Sequence, residues 1–239
     1  MLVSKTNYSL LAHRGLHSAS YPPNSLEALE LALVKGYGIE TDLRLIDDEI
    51  VIQHDTFDKP LPLSLLLELW ENTTNLELAL NIKEDGLALI LKEIFSKYEG
   101  REDYFFFDMS TPQEVHYENL DLPIAYRVSE REPYSRFKTP PKRIWLDSFS
   151  DPQWFLTLPE QELKEILKRS YVISSELHKK DPTQLWNLLI HHSFKGICTD
   201  HPQLLSNKLS ATHNFNLGSL APEDTLNYHP NPYMGSTND

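Results

Sequence analysis

The sequence predicts an α/β fold in which short apolar strands alternate with helices. Eight apolar runs recur along the 239 residues, and most of them precede a helix start signal. Such alternation predicts a parallel sheet, and eight repeats predict its closure into a TIM (β/α)8 barrel. One barrel of this kind accounts for a chain of this length. The runs begin at Leu10, Ile39, Leu78, Tyr104, Ile124, Ile144, Tyr171 and Ile197.

The first repeat combines a strand, a helix and a hairpin. Asn24 and Glu27 have the spacing of a capping box, which predicts that a helix begins here. Apolar residues follow at helical spacing, and a glycine is placed to end the helix. After the second strand, Asp47 and Asp48 predict the turn of a hairpin that returns through residues 51–52.

The later repeats follow the same scheme with weaker helix signals. Ser64 is placed to cap a short second helix, and Asp85 to cap a third with a clear apolar stripe. Thr111, followed by Pro112, begins the fourth helix. Residues 133–142 have the composition of an irregular loop, so the fifth helix has the least support.

The composition changes at about residue 207. Asn, Pro, Ser, Gly and Thr dominate the rest of the chain, where apolar residues are scattered. Such a composition is typical of segments that build no core of their own. We therefore predict a barrel domain at residues 1–206 and a low-order C-terminal tail at residues 207–239, either mobile or wrapped over the surface.

Charge and cysteine content limit the class of function. The net charge of −13 argues against nucleic acid and anionic membranes as partners, and an anionic substrate would need a local cation. The single cysteine, Cys198, excludes an internal disulfide and fits a reducing compartment. No apolar run has the length of a signal peptide or a transmembrane segment. We expect a cytoplasmic protein, and the oligomeric state stays open.

Polar side chains gather where the predicted strands end. His13 and Arg14 follow the first strand, Glu40 and Asp42 share one face of the second, and His54 follows the third short apolar run. Two neighbouring carboxylates favour a hard divalent cation between them. Imidazoles serve as general acids and bases, and an arginine suits a phosphate. Together these side chains point to metal-assisted phosphate chemistry.

Four segments of the chain resemble the glycerophosphodiester phosphodiesterase family, part of the phosphatidylinositol-specific phospholipase C-like superfamily of TIM barrels. They are Ala12-His13-Arg14-Gly15, Pro22-Pro23-Asn24-Ser25, Gly38-Ile39-Glu40-Thr41-Asp42 and His54-Asp55. Later segments resemble a divergent bacterial subgroup. Two positions depart from the family pattern, because Pro23 and Asn81 stand where the family has glutamates.

The resemblance implies a metal-dependent hydrolase of lipid metabolism that cleaves a small glycerophosphodiester-like substrate. The products would be an alcohol and either a phosphomonoester or a cyclic phosphate. Glu40, Asp42 and Asn81 would hold Mg²⁺ or Ca²⁺, since an amide oxygen can also ligate these ions. His13 would be the general base and His54 the general acid. The residues expected to bind substrate are Arg14, Lys83, Arg127, Glu130 and Asp147.

Two other functions compete with this interpretation. Pro23 and Asn81 favour a barrel that binds a phosphorylated ligand without turnover. An unrelated barrel enzyme, such as an aldolase or isomerase, would need a Schiff-base lysine or an isolated carboxylate base, and it would give His13 and His54 no role. Release of a phosphomonoester or cyclic phosphate from a model diester, in the presence of metal, separates the three.

Further polar residues have structural explanations. Asp181 and Asp200 are expected to cap helices. Asp108 either caps a helix or binds substrate. Cys198 is expected to be buried in a strand and inert.

Overall fold

The computed structural model describes residues 8–152 and 154–215. Its strands are β1 (Ser9–His13), β2 (Gly38–Ile46), β3 (Glu49–Ile52), β4 (Leu61–Pro62), β5 (Leu78–Ile82), β6 (Tyr104–Phe107), β7 (Tyr126–Val128), β8 (Ile144–Leu146), β9 (Ser170–Ile173) and β10 (Gly196–Thr199). Its α-helices are α1 (Leu26–Val34), α2 (Leu63–Trp70), α3 (Ala88–Phe95), α4 (Thr111–Asn119), α5 (Glu160–Leu167), α6 (Thr183–Leu189) and α7 (Pro202–Phe215).

The strands form one mixed sheet whose main part is parallel. Strand β1 lies between β2 and β10, and the parallel order continues from β10 through β9 and β8 to β7. On the other side, β2 pairs with β5 and β5 with β6. A parallel bridge between Phe106 and Ile124 then links β6 to the residues before β7. The predicted α/β fold with eight parallel strands is thus confirmed.

Alternation along the strands separates two apolar layers. In β6, Phe105 and Phe107 pack in a cluster with Trp145, whose ring centroid lies 3.8 Å from that of Phe107. The intervening Phe106 instead contacts Phe95 of α3 and Tyr117 of α4. Both faces of the sheet are therefore buried, as expected for parallel strands covered by helices. Cys198 lies in the first of these clusters and is fully buried, as predicted.

The hairpin after β2 has the predicted turn. Asp47 and Asp48 adopt φ angles of 50° and 65°, and Ile46 pairs with Glu49 across the antiparallel β2–β3 ladder. Two left-handed residues in a two-residue loop match the twist of the flanking strands. The hairpin extends β2 beyond the parallel sheet and carries the chain to His54.

Three predicted helix caps are wrong. Helix α1 is capped by Ser25, whose hydroxyl accepts a hydrogen bond from the Ala28 amide, whereas Asn24 takes a left-handed φ of 61°. Helix α2 begins before Ser64, so that residue cannot cap it. Helix α3 begins three residues after Asp85 without a side-chain cap. Only α1 has a side-chain cap from a neighbour with the same chemistry, whereas α2 and α3 follow Pro62 and Leu87, which offer no capping oxygen.

The C-terminal half agrees with the prediction of an irregular loop, but the predicted start of the tail is wrong. Between β7 and β8 the described chain has only a 3₁₀ turn, Tyr134–Arg136, in agreement with the irregular loop predicted there. Helix α7 crosses residue 207, where the tail was predicted to begin, and Leu209 is buried in the core. Residues 216–239 of the predicted tail lie outside the described residues. None of the described helices is long and apolar enough to span a membrane.

The turn that ends β1 depends on a glycine. Gly15 has a φ of +83°, and a Cβ built on it would lie 2.6 Å from the backbone carbonyl carbon of Ala28. Any side chain would therefore force α1 away from β1. Gly36 at the end of α1 has a similar φ of +80° but no atom within 4 Å of such a Cβ.

These two glycines give a matched test of that contact. Gly36→Ala should cost about 1 kcal/mol, the usual penalty for a left-handed alanine. Gly15→Ala should cost at least about 2 kcal/mol more, because it adds a backbone clash. Urea unfolding of both variants measures the difference. Equal losses would show that β1 and α1 adjust freely to each other.

Candidate active site

The carboxyl ends of β1 and β2 meet in a tight turn that presents His13 and Arg14. Arg14 and Gly15 both adopt positive φ angles, and the Arg14 amide donates a hydrogen bond of 2.8 Å to the Glu40 carbonyl. The Arg14 carbonyl accepts from the Asn24 amide at 2.9 Å. The turn is therefore locked to both β2 and the loop before α1.

Asp42 lies at the centre of the charged groups. Its carboxylate is buried, with Arg14 Nε 3.3 Å from Oδ2 and Lys83 Nζ 3.3 Å from Oδ1. Asn24 Nδ2 donates a third contact of 3.0 Å. Burial alone would raise the pKa of Asp42, but the two cations outweigh it and lower the pKa below its usual value. The carboxylate is thus ionised at neutral pH.

The environment of Glu40 disfavours its ionised form more than that of Asp42 does. It is buried, and burial together with the charge of Asp42 raises the pKa of its carboxyl well above the usual value. Its Oε2 atom has no hydrogen-bond partner and lies 3.9 Å from His13 Nε2. A buried carboxyl oxygen without a donor is costly unless a positive charge compensates it.

Asn81 completes this part of the site. It pairs with Asp42 across the parallel β2–β5 ladder, and its amide nitrogen donates to Asp108 Oδ2 at 3.3 Å. Its Oδ1 atom is buried and has no partner. Two unpartnered oxygens, Glu40 Oε2 and Asn81 Oδ1, thus come from residues adjacent to an ionised carboxylate. Such a donor set suits a hard divalent cation.

His54 lies at the end of the β2–β3 hairpin. Its carbonyl accepts hydrogen bonds from Arg44 Nε and Nη2 at 3.1 and 2.8 Å, and its Nδ1 lies 2.9 Å from Asp55 Oδ2. That hydrogen bond lowers the pKa of the Asp55 carboxyl. The charge of His54 also contributes to lowering the pKa of Asp42. His13 thus lies beside Glu40, and His54 lies close enough to Asp42 to affect the pKa of its carboxyl.

Asp200 corrects one prediction from the sequence. Its Oδ1 atom lies 2.8 Å from His13 Nδ1 and 3.0 Å from His17 Nε2, and no amide of α7 is bonded to it among the described residues. Burial would raise the pKa of Asp200, but the two imidazoles lower it strongly. Asp200 is therefore a histidine partner, and it does not cap a helix as expected.

His17 was missed by the sequence analysis. It has no role in the motifs, and its proximity to Asp200 joins residues 183 positions apart. Beneath them, buried Glu176 accepts from the Ser174 and Thr199 hydroxyls and from the Asp200 amide. Burial raises the pKa of the Glu176 carboxyl. Only the closing contact between β1 and β10 brings these groups together.

The predicted substrate residues on β7 and β8 occupy the opposite wall. Arg127 lies 3.0 Å from Asp108 and also contacts Glu132, so Asp108 pairs with an arginine and is hydrogen-bonded to Asn81. Asp147 Oδ1 lies 2.7 Å from His178 Nε2. The first set of contacts links Asn81 through Asp108 to Arg127, whereas Asp147 and His178 form a separate pair.

Glu130 has a different role in the structure. Its carboxylate accepts hydrogen bonds from the amides of Phe149 and Ser150, which holds the loop after β8. Phe149 is 41% exposed, and the Arg127 guanidinium lies 5.4 Å from its ring centroid. Glu130 thus positions a loop at the mouth.

Each of the two cations that contact Asp42 lines a separate cavity. One of about 510 Å³ is bordered by Arg14, Pro23, His54 and Leu61. Another of about 350 Å³ is bordered by Lys83, Asp108, Arg127 and Glu132. Pro23, which departs from the family pattern, therefore lines the first cavity with an apolar surface.

Two clusters of His, Cys, Asp and Glu in the described residues could hold a metal by proximity. The first consists of His13, His17 and Asp200, and the second of His54, Asp55 and Asp58. Within each cluster the ligand atoms lie within 4.8 Å of one another. The predicted set of Glu40, Asp42 and Asn81 includes an amide and therefore belongs to a different chemical class.

An α/β fold with polar side chains at the carboxyl ends of parallel strands is the architecture of many enzymes that bind small ligands. No family model and no curated protein matches the chain. It is similar to the crystal structure of a glycerophosphodiester phosphodiesterase from Parabacteroides distasonis, with 19% identity and a TM-score of 0.62 over 88% of this chain and 100% of that one.

Two further solved structures share the fold. A glycerophosphodiester phosphodiesterase from Agrobacterium tumefaciens has 16% identity and a TM-score of 0.63 over 85% of this chain and 99% of that one. A phosphodiesterase from Oleispira antarctica, in complex with the product sn-glycerol-3-phosphate, has 19% identity and a TM-score of 0.62 over 84% and 96%. The resemblance found in the motifs is thereby confirmed at the level of the fold.

The Asp147–His178 pair makes stability depend on pH. The hydrogen bond with Asp147 raises the pKa of His178 above its usual value of about 6.5. A raised folded-state pKa means that the pair stabilises the fold fully at pH below about 6.5 and loses this effect as pH rises through the raised pKa. Asp147→Asn should therefore destabilise the protein more at pH 5.5 than at pH 8.

Urea unfolding of wild type and Asp147→Asn across this pH range measures the effect, with an NMR titration of His178 alongside. Asp147 also accepts from the Ser148 amide, so a pH-independent loss is expected in addition. A loss that stays constant with pH would contradict the coupling.

Proposed function

We propose that the chain is a metal-dependent phosphodiesterase that cleaves a small glycerophosphodiester-like substrate. The products are an alcohol and a phosphomonoester or cyclic phosphate. The observation that carries the proposal is the buried Asp42, held between Arg14 and Lys83 with His13 and His54 around it. The structural similarity to phosphodiesterases supports it. We also propose that the parallel strands close into a full TIM barrel, since the Phe106–Ile124 bridge joins β6 to the β7 segment.

The cation would be held by Glu40, Asp42 and Asn81. The two unpartnered buried oxygens of Glu40 and Asn81 fit an ion of the Mg²⁺ or Ca²⁺ type. When bound, such an ion supplies Lewis-acid stabilisation of the phosphoryl oxygens. The ion would also offset the negative charge of Asp42, which together with burial raises the pKa of Glu40.

Arg14 and Lys83 would hold the phosphate. Both are partly exposed at the mouth although they contact Asp42. The Arg14 side chain is 25% exposed and that of Lys83 is 23% exposed, so each would reach an anionic oxygen at the mouth while it pairs with Asp42. In a chain of net charge −13, this local positive pair is what attracts an anion.

His13 would act as general base. Burial lowers the pKa of its imidazole, although the hydrogen bond that the ring donates to Asp200 opposes this, so the ring is neutral at neutral pH. Donation from Nδ1 to Asp200 leaves the Nε2 lone pair on the side of Glu40. His54, paired with Asp55, would be the general acid that protonates the leaving alkoxide.

The alcohols would lie in the two cavities beside the phosphate. The cavity next to His54 is placed for the leaving alcohol. The cavity formed with Arg127 lies on the other side, with Asp147 and the loop held by Glu130 further along the mouth. This assignment gives the other three predicted substrate residues, Arg127, Glu130 and Asp147, a role in binding or in shaping the alcohol site.

Phosphorylated-ligand binding without turnover is the second candidate. It is favoured by Asn81, which provides no negative charge where a third carboxylate would hold the cation more tightly. A panel of glycerophosphodiesters and other diesters, incubated with purified protein and Mg²⁺, Ca²⁺ or Mn²⁺, decides between the two. Tight binding of a phosphomonoester with no diester cleavage would favour the second.

The metal site can be tested by calorimetry. Wild type should bind a divalent cation, Asp42→Asn should lose both binding and turnover, and Asn81→Asp should bind more tightly because it adds an anionic oxygen. The added charge also repels the phosphate, so kcat should be unchanged or lower in Asn81→Asp. Full activity after exhaustive chelation would contradict the proposed cation, and equal affinities of wild type and Asn81→Asp would place the third ligand elsewhere.

The histidine roles can be tested by kinetics. His13→Ala and His54→Ala should each lower kcat by about 10²–10⁴-fold, the usual range for acid–base groups. A substrate with a low-pKa leaving group should partly restore activity in His54→Ala and leave His13→Ala unchanged. Near-wild-type turnover in either variant removes that histidine from the mechanism, and rescue of His13→Ala instead would exchange the two roles.

A further inference from the structure

We infer that His13, His17 and Asp200 form a second cation site, selective for zinc-like metals, whose occupation converts His13 to a tautomer that cannot act as a base. The site lies at the junction of β1 and β10. It shares one residue with the proposed mechanism and none with the Glu40, Asp42 and Asn81 set.

The geometry is close to that of a metal site. Asp200 Oδ1 lies 2.8 Å from His13 Nδ1 and 3.0 Å from His17 Nε2, and all three atoms lie within 4.8 Å of one another. Ligand atoms around tetrahedral zinc are about 3.3 Å apart, given metal–ligand bonds of about 2.0–2.1 Å. An ion therefore requires the two imidazoles to retreat from Asp200 by a few tenths of an ångström, and their two nitrogens, now within 4.8 Å of each other, to settle at about the same 3.3 Å.

The surroundings hold this arrangement in place. His13 is fixed by the locked turn at the end of β1. Asp200 is fixed by the hydrogen bond that its backbone amide donates to the Glu176 carboxylate, which also accepts from the Thr199 hydroxyl. Neither ligand depends on a long flexible side chain, so little conformational entropy is lost when a metal binds.

The donor types select the metal. Two imidazole nitrogens and one carboxylate oxygen favour zinc and related transition metals, whereas Mg²⁺ and Ca²⁺ prefer oxygen ligands. Three protein ligands leave a fourth position for water. The same turn would thus present a nitrogen-rich site on one side of His13 and an oxygen-only site on the other.

Occupation would change the proton on His13. In the metal-free site Nδ1 donates its proton to Asp200 and Nε2 keeps its lone pair. A metal bonded to Nδ1 replaces that proton, which moves to Nε2, and His17 likewise shifts its proton to Nδ1. Both rings remain neutral, but the His13 nitrogen nearest Glu40 no longer accepts a proton. This consequence for turnover rests on the proposed function, whereas the binding itself does not.

Zinc titration of the full chain in saturating Mg²⁺ tests the site. Calorimetry should give a zinc site that persists when Asp58→Asn weakens the second cluster at His54, Asp55 and Asp58, and Co²⁺ should give the intense visible absorption of a four-coordinate nitrogen and oxygen site. His17→Gln keeps an amide donor for Asp200 but removes the imidazole, and it should weaken zinc binding by about 100-fold or more. A His191→Ala/His192→Ala double variant removes two adjacent imidazoles elsewhere and should bind zinc as wild type does.

Nitrogen-15 NMR of His13 gives a readout independent of turnover. Zinc should convert the ring from the form protonated at Nδ1 to the form protonated at Nε2, and His17→Gln should prevent this at the same zinc concentration. No zinc binding, equal binding in His17→Gln and wild type, or loss of binding only in the double variant would each overturn the inference. If the tautomer changes but no diester is ever cleaved, the site stands and the proposed function fails.

Discussion

The buried charge of Asp42 is the constraint on which the rest of the site depends. A lone carboxylate at this depth would be strongly destabilising, so the fold must supply compensating groups. It does so with Arg14 and Lys83 at 3.3 Å and with the Asn24 amide at 3.0 Å. Each partner comes from a different strand end or loop. Holding that charge therefore fixes the turn after β1, the loop before α1 and the end of β5 around one point.

The same constraint explains why Glu40 and Asp42 behave differently although they share one face of β2. The two cations lie against Asp42, whose pKa is lowered, whereas Glu40 is buried without a donor for Oε2 and its pKa is raised. Two neighbouring carboxylates with divergent pKa values are typical of functional sites, because packing alone gives no advantage to a buried acid. Asp42 is therefore ionised, whereas Glu40 keeps a buried oxygen without a hydrogen-bond donor.

Much of the fold could be predicted from the sequence, because strands buried on both faces must be apolar and each ends where polar residues resume. Seven of the eight predicted strand starts lie inside parallel strands, and Ile124 forms the bridge just before β7. The predicted cap at Asn24 failed because the adjacent Ser25 has the same capping chemistry, and the cap at Asp85 failed because α3 begins three residues later without any side-chain cap. The Asp200 contacts could not be predicted, since they join residues 187 and 183 positions apart and depend on the pairing of β1 with β10.

Asn81 shows how a single departure from a motif changes the charge of the whole mouth. Glu40 and Asp42 provide two negative charges when ionised, and Arg14 and Lys83 provide two positive charges. A third carboxylate at position 81 would make this inner set net negative before any ion bound, which favours a cation and disfavours an anionic phosphate. With an amide the set carries one negative charge fewer, so in the proposed site a phosphate would meet less repulsion and a cation would be held less tightly. The buried Asn81 oxygen has no hydrogen-bond partner, so in the proposed site it would still serve as a ligand, but a neutral one.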